Sequence, residues 1–456
     1  MIKVCNRVIE YSFYALFFLV PLVFRSDTSE LFELNKMWLT WGLTIIIGMF
    51  WFTKMTLERK FSVQRTLLDI PIGLFLLSQI ISTIFSLDHH VSLWGYYSRF
   101  NGGLLSTFSY IFLYYAFLSN FRTNAVTVVK RSLFFSLVSG LIVALWGFPS
   151  HFGYDPTCLI FRGTFDVSCW TADFMPKVRI FSTMGQPDWL AAYLAILIPI
   201  AIVYAISNWP ASQRGEKLKI GNWKLWMYLL FVALFYVDLL YTQARSGFLG
   251  IWFSLIFFAV LYYWVLGRPK ISMSREKLKS PFVILIFGLL VITFIIGAPI
   301  SQLRVFTLGG IGSYFQKIQA SKITNKPAST PAVSTPTQSS ESGGGGTESG
   351  RIRFLVWAGA INAWKANPLF GTGVETFAFA YFKYKPAAQN LTSEWNFLYN
   401  KAHNEYLNYL ATTGFFGFGT YLLMIGYFLT TAILNLFQNL KFSKMGMLKP
   451  IQHDTD

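Results

Sequence analysis

Trp189-Leu-Ala-Ala-Tyr-Leu-Ala-Ile-Leu-Ile-Pro-Ile-Ala-Ile-Val-Tyr-Ala-Ile-Ser207 contains no charged side chain. A helix of this length crosses the hydrocarbon core of a bilayer, whereas an open strand there would leave its backbone polar groups unpaired in lipid. The stretch does not stand alone. Apolar runs recur at 8–24, 37–53, 67–86, 102–121, 132–148, 189–207, 224–241, 247–266, 281–299 and 415–437. Composition agrees: of 456 residues, 54% are hydrophobic, 18% aromatic and only 13% charged, a balance suited to a multi-span membrane protein. The expected fold is all-α, a polytopic membrane helical bundle of about ten transmembrane helices with a long extracytoplasmic loop. The first run follows Lys3 and Arg7 and lacks a small-x-small cleavage site, so it reads as a retained anchor.

The net charge of +17 is distributed in a pattern. Lys3 and Arg7 precede the first run. Lys54, Arg59, Lys60 and Arg65 fill the second loop, and Arg122, Lys130 and Arg131 the fourth. Arg214, Lys217 and Lys219 lie in the sixth, Arg268, Lys270, Arg275, Lys277 and Lys279 in the eighth, and Lys441, Lys444 and Lys449 in the tail. In the first loop Arg25 and Lys36 stand against Asp27, Glu30 and Glu33. This alternation places the basic loops and both termini in the cytoplasm. The charge is therefore a topology signal, and no aromatic-interleaved basic patch points to a nucleic-acid partner. Three regions follow: 1–299 with nine membrane helices and short loops, an extracytoplasmic loop over 300–414, and 415–456 with the last helix and a cytoplasmic tail. Within the long loop, the Ser/Thr/Pro/Gly-rich residues 321–350 have too little apolar surface to order and read as a flexible insertion. Arg353, Trp357, Ile361 and Trp364 recur at helical spacing, as in a helix lying on the membrane surface, and Asn367-Pro368 ends it.

Few residues on the expected outer face could carry chemistry. Asn400-Lys-Ala-His-Asn-Glu-Tyr-Leu-Asn-Tyr-Leu-Ala-Thr-Thr-Gly414 reads as a helix with Tyr406, Leu407 and Leu410 on one face, His403 in its first turn and Gly414 as its stop. His403 is either a capping histidine or a proton acceptor poised near neutral pH. Arg179, Arg245 and Arg99 either snorkel to lipid headgroups or clamp phosphate through the planar guanidinium fork. Asp238, one turn inside the seventh run, calls for a structural partner such as Arg245. Gly371-Thr-Gly373 lacks the third glycine of a dinucleotide site and reads as a tight turn. Cys158 and Cys169 share one loop and are either a disulfide or two free thiols. No Cys-x-x-Cys or His-x-x-x-His cluster occurs, so neither a metal site nor a cofactor is expected.

The order of motifs resembles the O-antigen ligase and O-antigen polymerase superfamily. The matching pieces are Gly95-Tyr-x-x-Arg99-x-x-Gly102, Arg179 before Gly185-Gln-Pro-Asp-x-Leu-Ala-Ala-Tyr, and Arg245-Ser-Gly247. Further along come Arg353-x-x-x-Trp357, Pro368-Leu-Phe-Gly371-Thr-Gly373-x-x-x-Phe377, and Ala402-His403-Asn404-x-Tyr406-Leu407 followed by Gly414. The resemblance implies a multi-pass bacterial cytoplasmic (inner) membrane glycosyltransferase with its active site on the extracytoplasmic face. It would move glycan from undecaprenyl diphosphate to an acceptor glycan, lipid or protein, as an inverting, metal- and ATP-independent transferase. The family's essential residues would fall on Arg179, Arg245 and His403, with Arg99, Arg353, Asn404 and Tyr406 binding substrate. A transporter or flippase for lipid-linked glycan is the alternative. It would want midplane charges and repeat-related broken helices, whereas the informative charges here sit at the outer edge. Family members usually continue through more spans after the histidine helix, and the 321–350 insertion is not a family feature.

Overall fold

Helices occupy all ten expected positions in a computed structural model that describes residues 1–209, 222–265, 281–304, 306–310, 312 and 349–444. In chain order the first seven are α1 (Ile2–Leu19), α2 (Glu33–Glu58), α3 (Asp69–Ile84), α4 (His89–Trp94), α5 (Leu104–Asn120), α6 (Ala125–His151) and α7 (Pro156–Arg162). Next are α8 (Pro187–Ser207), α9 (Trp223–Tyr241), α10 (Arg245–Val265), α11 (Pro281–Ile296) and α12 (Ser301–Arg304). The last are α13 (Ser349–Ala366), α14 (Phe377–Tyr384) and α15 (Glu405–Lys444). No strand occurs among the described residues. Four helices, Ala125–His151, Pro187–Ser207, Trp223–Tyr241 and Glu405–Leu434, are long and apolar enough to cross a membrane. The others at expected span positions are shorter or more polar. The insertion expected at 321–350 lies outside the described residues except for Ser349 and Gly350, which open α13.

The chain divides into two compact units. One comprises Glu10–Lys36 and Asn124–Ala332. Its core is α8 against α9, with α6, α10 and α11 around them. Leu190, Leu194, Leu197, Ile198 and Ile202 of α8 are buried, and the interspersed Ala191, Ala201 and Ala205 keep the helix slim enough for close neighbours. Small residues at such contacts are how helices associate in lipid, where tight packing replaces the hydrophobic effect as the driving force. The outward positions are large and apolar: Ile196 is 65% exposed, Phe253 75% and Phe287 67%, as lipid-facing side chains require.

At one end of this unit the loops 20–36, 152–186 and 242–244 converge. The Thr183 hydroxyl donates to Pro21 O, Lys36 Nζ donates to Val23 O and Thr183 O, and Ile180 N–H donates to Tyr241 O. Cys158 and Cys169 form a disulfide, with Cα atoms 5.4 Å apart, beside the Asp155 cap that accepts from Thr157 N–H and Trp170 Nε1.

Asp238 corrects an expectation. Its side chain is fully buried in α9, and neither carboxylate oxygen has a hydrogen-bond partner among the described residues. Arg245 is exposed and does not pair with it. Asp238 lies on the core face of α9 with Phe235 and Leu239, whereas Arg245, after the turn that opens α10, is exposed.

The second unit comprises Met1–Ile9, Met37–Thr123 and Val333–Asp456. Here α3 packs on α15, and α13 packs on α14 and α15. The inward face of α13 is Ile352, Val356, Ala360 and Ala363. That face is one residue out of register with the Arg353, Trp357, Ile361 and Trp364 stripe read from sequence, because the small alanines are what let α14 and α15 approach.

Candidate functional site

In the first unit, the turn between α9 and α10 is pinned by Arg179. Its Nε donates to Thr242 O at 2.9 Å and its Nη2 to Asp188 Oδ1 at 3.2 Å, while its own N–H bonds to Met175 O. Asp188 stands in the first turn of α8, which starts at Pro187 as helices commonly do. Two of the five guanidinium donors of Arg179 are thus used by these acceptors, and three remain for a ligand. The Arg179 and Asp188 side chains are 42% and 45% exposed, so the ion pair is worth well under ~1 kcal/mol and yields readily to a stronger anion. A cavity of about 270 Å³ lies beside them, lined by Met175, Val178, Phe181 and Gln186.

Arg245 is the first residue of α10, three residues beyond the carbonyl that Arg179 grips. Its side chain is exposed, and it makes no hydrogen bond or ion pair among the described residues. The helix N-terminus beneath it adds orphan N–H groups and a favourable dipole toward anions. Gly247 completes the motif: a Cβ there would lie 2.6 Å from the Ala191 Cβ, so the glycine lets α10 start flush against α8. The structure therefore brings Arg179 and Arg245 to one end of this unit.

The other five candidates, His403, Asn404, Tyr406, Arg99 and Arg353, lie in the second unit. Its central device is a break in α15. Gly414 has φ 66° and ψ −168°, a conformation reserved for glycine. The break removes two helical bonds and replaces them. Thr372 N–H and Gly373 N–H donate to Ala411 O and Thr412 O, while Phe415 N–H and Phe416 N–H donate to Pro368 O and Leu369 O. The Pro368–Gly373 segment is thereby spliced into the helix with every displaced backbone group satisfied, as burial demands. This explains why the two motifs occur together.

The splice fixes Glu375. Ser92 Oγ donates to Val374 O at 2.7 Å, and Glu375 itself adopts a left-handed φ of 59°. Its carboxylate pairs with Lys401 and lies on Gly102, where an added Cβ would come within 2.2 Å of Oε1. Gly102 belongs to the turn that follows α4, and Arg99 sits half-buried in the same turn, its N–H bonded to Tyr96 O.

His403 follows two residues after Lys401. It is not in the first helical turn, as the periodicity had placed it, but ahead of the helix with φ 53°. Asn404 is the cap: its Oδ1 accepts from Leu407 N–H at 3.2 Å, and His403 precedes it in the left-handed conformation. The exposed imidazole meets the edge of Tyr399, ring centroids 5.9 Å apart. Burial first, and then the hydrogen bond its hydroxyl donates to the Glu394 carboxylate, push Tyr399 well above its usual value. Tyr399 therefore stays a neutral, oriented support for the histidine. Tyr406 is exposed and its ring meets Phe418 edge-on. Arg353 is exposed on the outward side of α13, away from the face that packs on α14 and α15.

Between α3, α5 and α15 lies a cavity of about 460 Å³. Asn101, Glu375, Lys401 and Glu405 line its polar part, and Phe75, Tyr110, Ile111 and Met424 its apolar part. Sequence reading missed Glu375 and Lys401. The positive φ at Glu375 and the ion pair across 26 residues are tertiary facts, and only the position of Glu375 just after the Gly371-Thr-Gly373 turn offered a signal. Lys36, a loop charge in the sequence, sits among carbonyls in the first unit; burial lowers it to about 8, with Glu30 and Glu33 opposing. Among the described residues no group of three or more His, Cys, Asp or Glu could hold a metal ion.

Residues 229–422 match the protein family described as O-antigen ligase. The matched span runs from α9 into α15 and includes Arg245, Arg353, His403, Asn404 and Tyr406; Arg99 and Arg179 precede it. No curated protein and no solved structure matches the chain.

Proposed function

We propose, from the membership of residues 229–422 in the O-antigen ligase superfamily, that this membrane glycosyltransferase takes glycan from undecaprenyl diphosphate and passes it to an extracytoplasmic acceptor. The observation that carries the reading is the pairing of Arg179 with the α9–α10 turn. Arg179 grips the turn whose third following residue, the exposed Arg245, opens α10, and this supports a shared anion site at that end of the unit. Such a site suits a diphosphate, whose charge grows as it leaves the anomeric carbon.

In the proposed reaction the acceptor hydroxyl oxygen attacks that carbon from the face opposite the diphosphate. The new C–O bond forms as the old one breaks, and the configuration inverts. Arg179 and Arg245 stabilise the departing diphosphate. His403 accepts the hydroxyl proton on a ring nitrogen, its ring oriented by Tyr399 and its backbone by the Asn404 cap. Arg99, Arg353 and Tyr406 contact the substrates. The loops converging at 20–36, 152–186 and 242–244 form the extracytoplasmic end in this reading, which agrees with the alternation of loop charge.

The flippase alternative draws on Asp238, a buried intramembrane acid without a described partner, which is a feature of coupled transport. One experiment separates the two. Purified protein in detergent, where no bilayer exists to be crossed, is given an undecaprenyl diphosphate glycan and candidate acceptors, with chelator and without ATP. Transfer of glycan and release of the free carrier diphosphate support the transferase. Absence of transfer, with lipid-linked glycan moved across vesicles instead, supports the flippase.

A further inference from the structure

We infer that the cavity between α3, α5 and α15 is the acceptor pocket, built for an uncharged, hydroxyl-rich glycan and unsuited to the diphosphate carrier. The inference rests on the transferase reading and adds which substrate goes where. Its volume of about 460 Å³ lies within the roughly 300–1,000 Å³ of small-ligand sites.

Charge decides the class of ligand. Lys401 is neutralised by Glu375, and Glu405 adds a further negative charge; among the described residues no arginine lines the cavity. A diphosphate entering there would meet carboxylates. A sugar would meet what sugars need. Carboxylates accept from hydroxyls in strong charge-assisted bonds, Asn101 both donates and accepts, and the Tyr110 and Tyr409 rings offer apolar faces to a pyranose. Tyr409 is held flat by stacking on Tyr421, ring centroids 4.2 Å apart.

The polar groups are also preorganised. Glu375 is fixed by the splice at Gly414 and by contact with Gly102, and its side chain is only 9% exposed. Lys401 and Glu405 stand two residues to either side of His403. A hydroxyl held by these side chains is therefore brought to the segment that carries the proton acceptor. Phe75, Ile111 and Met424 add an apolar part to the lining, fitted to the aglycone of a lipid-borne acceptor.

The test uses the full chain in lipid nanodiscs. Saturation-transfer NMR is run with a panel of neutral methyl pyranosides and methyl disaccharides, and with glucose 1-phosphate as the anionic probe. At least one neutral glycan is expected to bind the wild type. Glu405 and Asn101 both lie outside the packed core; Glu405→Ala is expected to weaken it about tenfold, the effect of losing a bond to a charged group, and Asn101→Ala about fivefold, the effect of losing a neutral one. Glucose 1-phosphate is expected not to displace the glycan. The inference is overturned if no neutral glycan binds, if both variants bind as the wild type does, or if glucose 1-phosphate competes. In the transfer assay the same variants should raise the KM for acceptor and leave the KM for carrier unchanged; a rise in carrier KM instead overturns it. If the wild type transfers nothing at all, the transferase reading fails, while the binding arm still judges the pocket.

Discussion

Gly102→Ala probes the architecture of the second unit at the turn that holds Glu375. Gly102 has φ +84°, and an added Cβ would lie 2.2 Å from Glu375 Oε1 and 2.4 Å from its Cδ. The left-handed backbone costs an alanine roughly 1–2 kcal/mol. The clash is relieved only by pushing the Glu375 carboxylate off the turn and away from Lys401. That strands a largely buried carboxylate, at about 1–3 kcal/mol more. The two contributions separate in a double-mutant cycle, since on a Glu375→Ala background the clash disappears and only the backbone cost of roughly 1–2 kcal/mol remains. The assay is denaturant unfolding of purified protein in detergent, followed by tryptophan fluorescence. Gly73→Ala in α3 is the control: nothing lies within 4 Å of its added Cβ, and the change is expected to be neutral or stabilising by up to ~1 kcal/mol. Equal costs for Gly102→Ala on both backgrounds, or no cost on either, would refute the placement of Glu375.

Two further outcomes follow from the same geometry. Gly414→Ala should be the more damaging glycine change, because a Cβ would lie 2.4 Å from the Leu369 backbone and force out the spliced segment; proteolysis between α13 and α15 should accelerate, and unchanged protection would contradict the splice. Lys36 gives a pH signature. Its folded value of about 8 lies below its ordinary 10.5, so between those values the unfolded chain holds more protons and stability rises with pH by up to about 3 kcal/mol. Below pH 8 that contribution is lost. Lys36→Met should remove the slope, and a wild-type slope that is flat or negative relative to that variant would show that Lys36 is solvated.

Much of the fold was legible because lipid leaves few choices. Ten apolar runs became ten helices, and the loops that charge alternation puts on one side meet within each unit. What sequence could not show arises from contacts between distant segments. Periodicity puts His403 inside its helix, but with Asn404 as the cap the helix starts at Glu405, two residues after His403. The α13 stripe was read from its large residues, whereas its packing face is set by small ones. Separation along the chain makes Arg245 a natural partner for Asp238, yet Asp238 is buried and Arg245 exposed. The glycines of the motifs were visible as turn formers. Their purpose, splicing Pro368–Gly373 into α15 and making room for Glu375, lies in contacts between segments far apart in the chain.

In the proposed reaction the guanidinium fork at the head of α10 carries the most weight. The direct measurement is the rate of glycan transfer from undecaprenyl diphosphate by Arg245→Lys in detergent, with chelator present. A lysine keeps the charge but loses the planar pair of donors. Transfer should fall by about two orders of magnitude, the effect of losing roughly 3 kcal/mol of transition-state stabilisation, and carrier binding should weaken with it. Transfer within about twofold of the wild type would contradict the account, since the rate would then not depend on planar recognition of a diphosphate at Arg245.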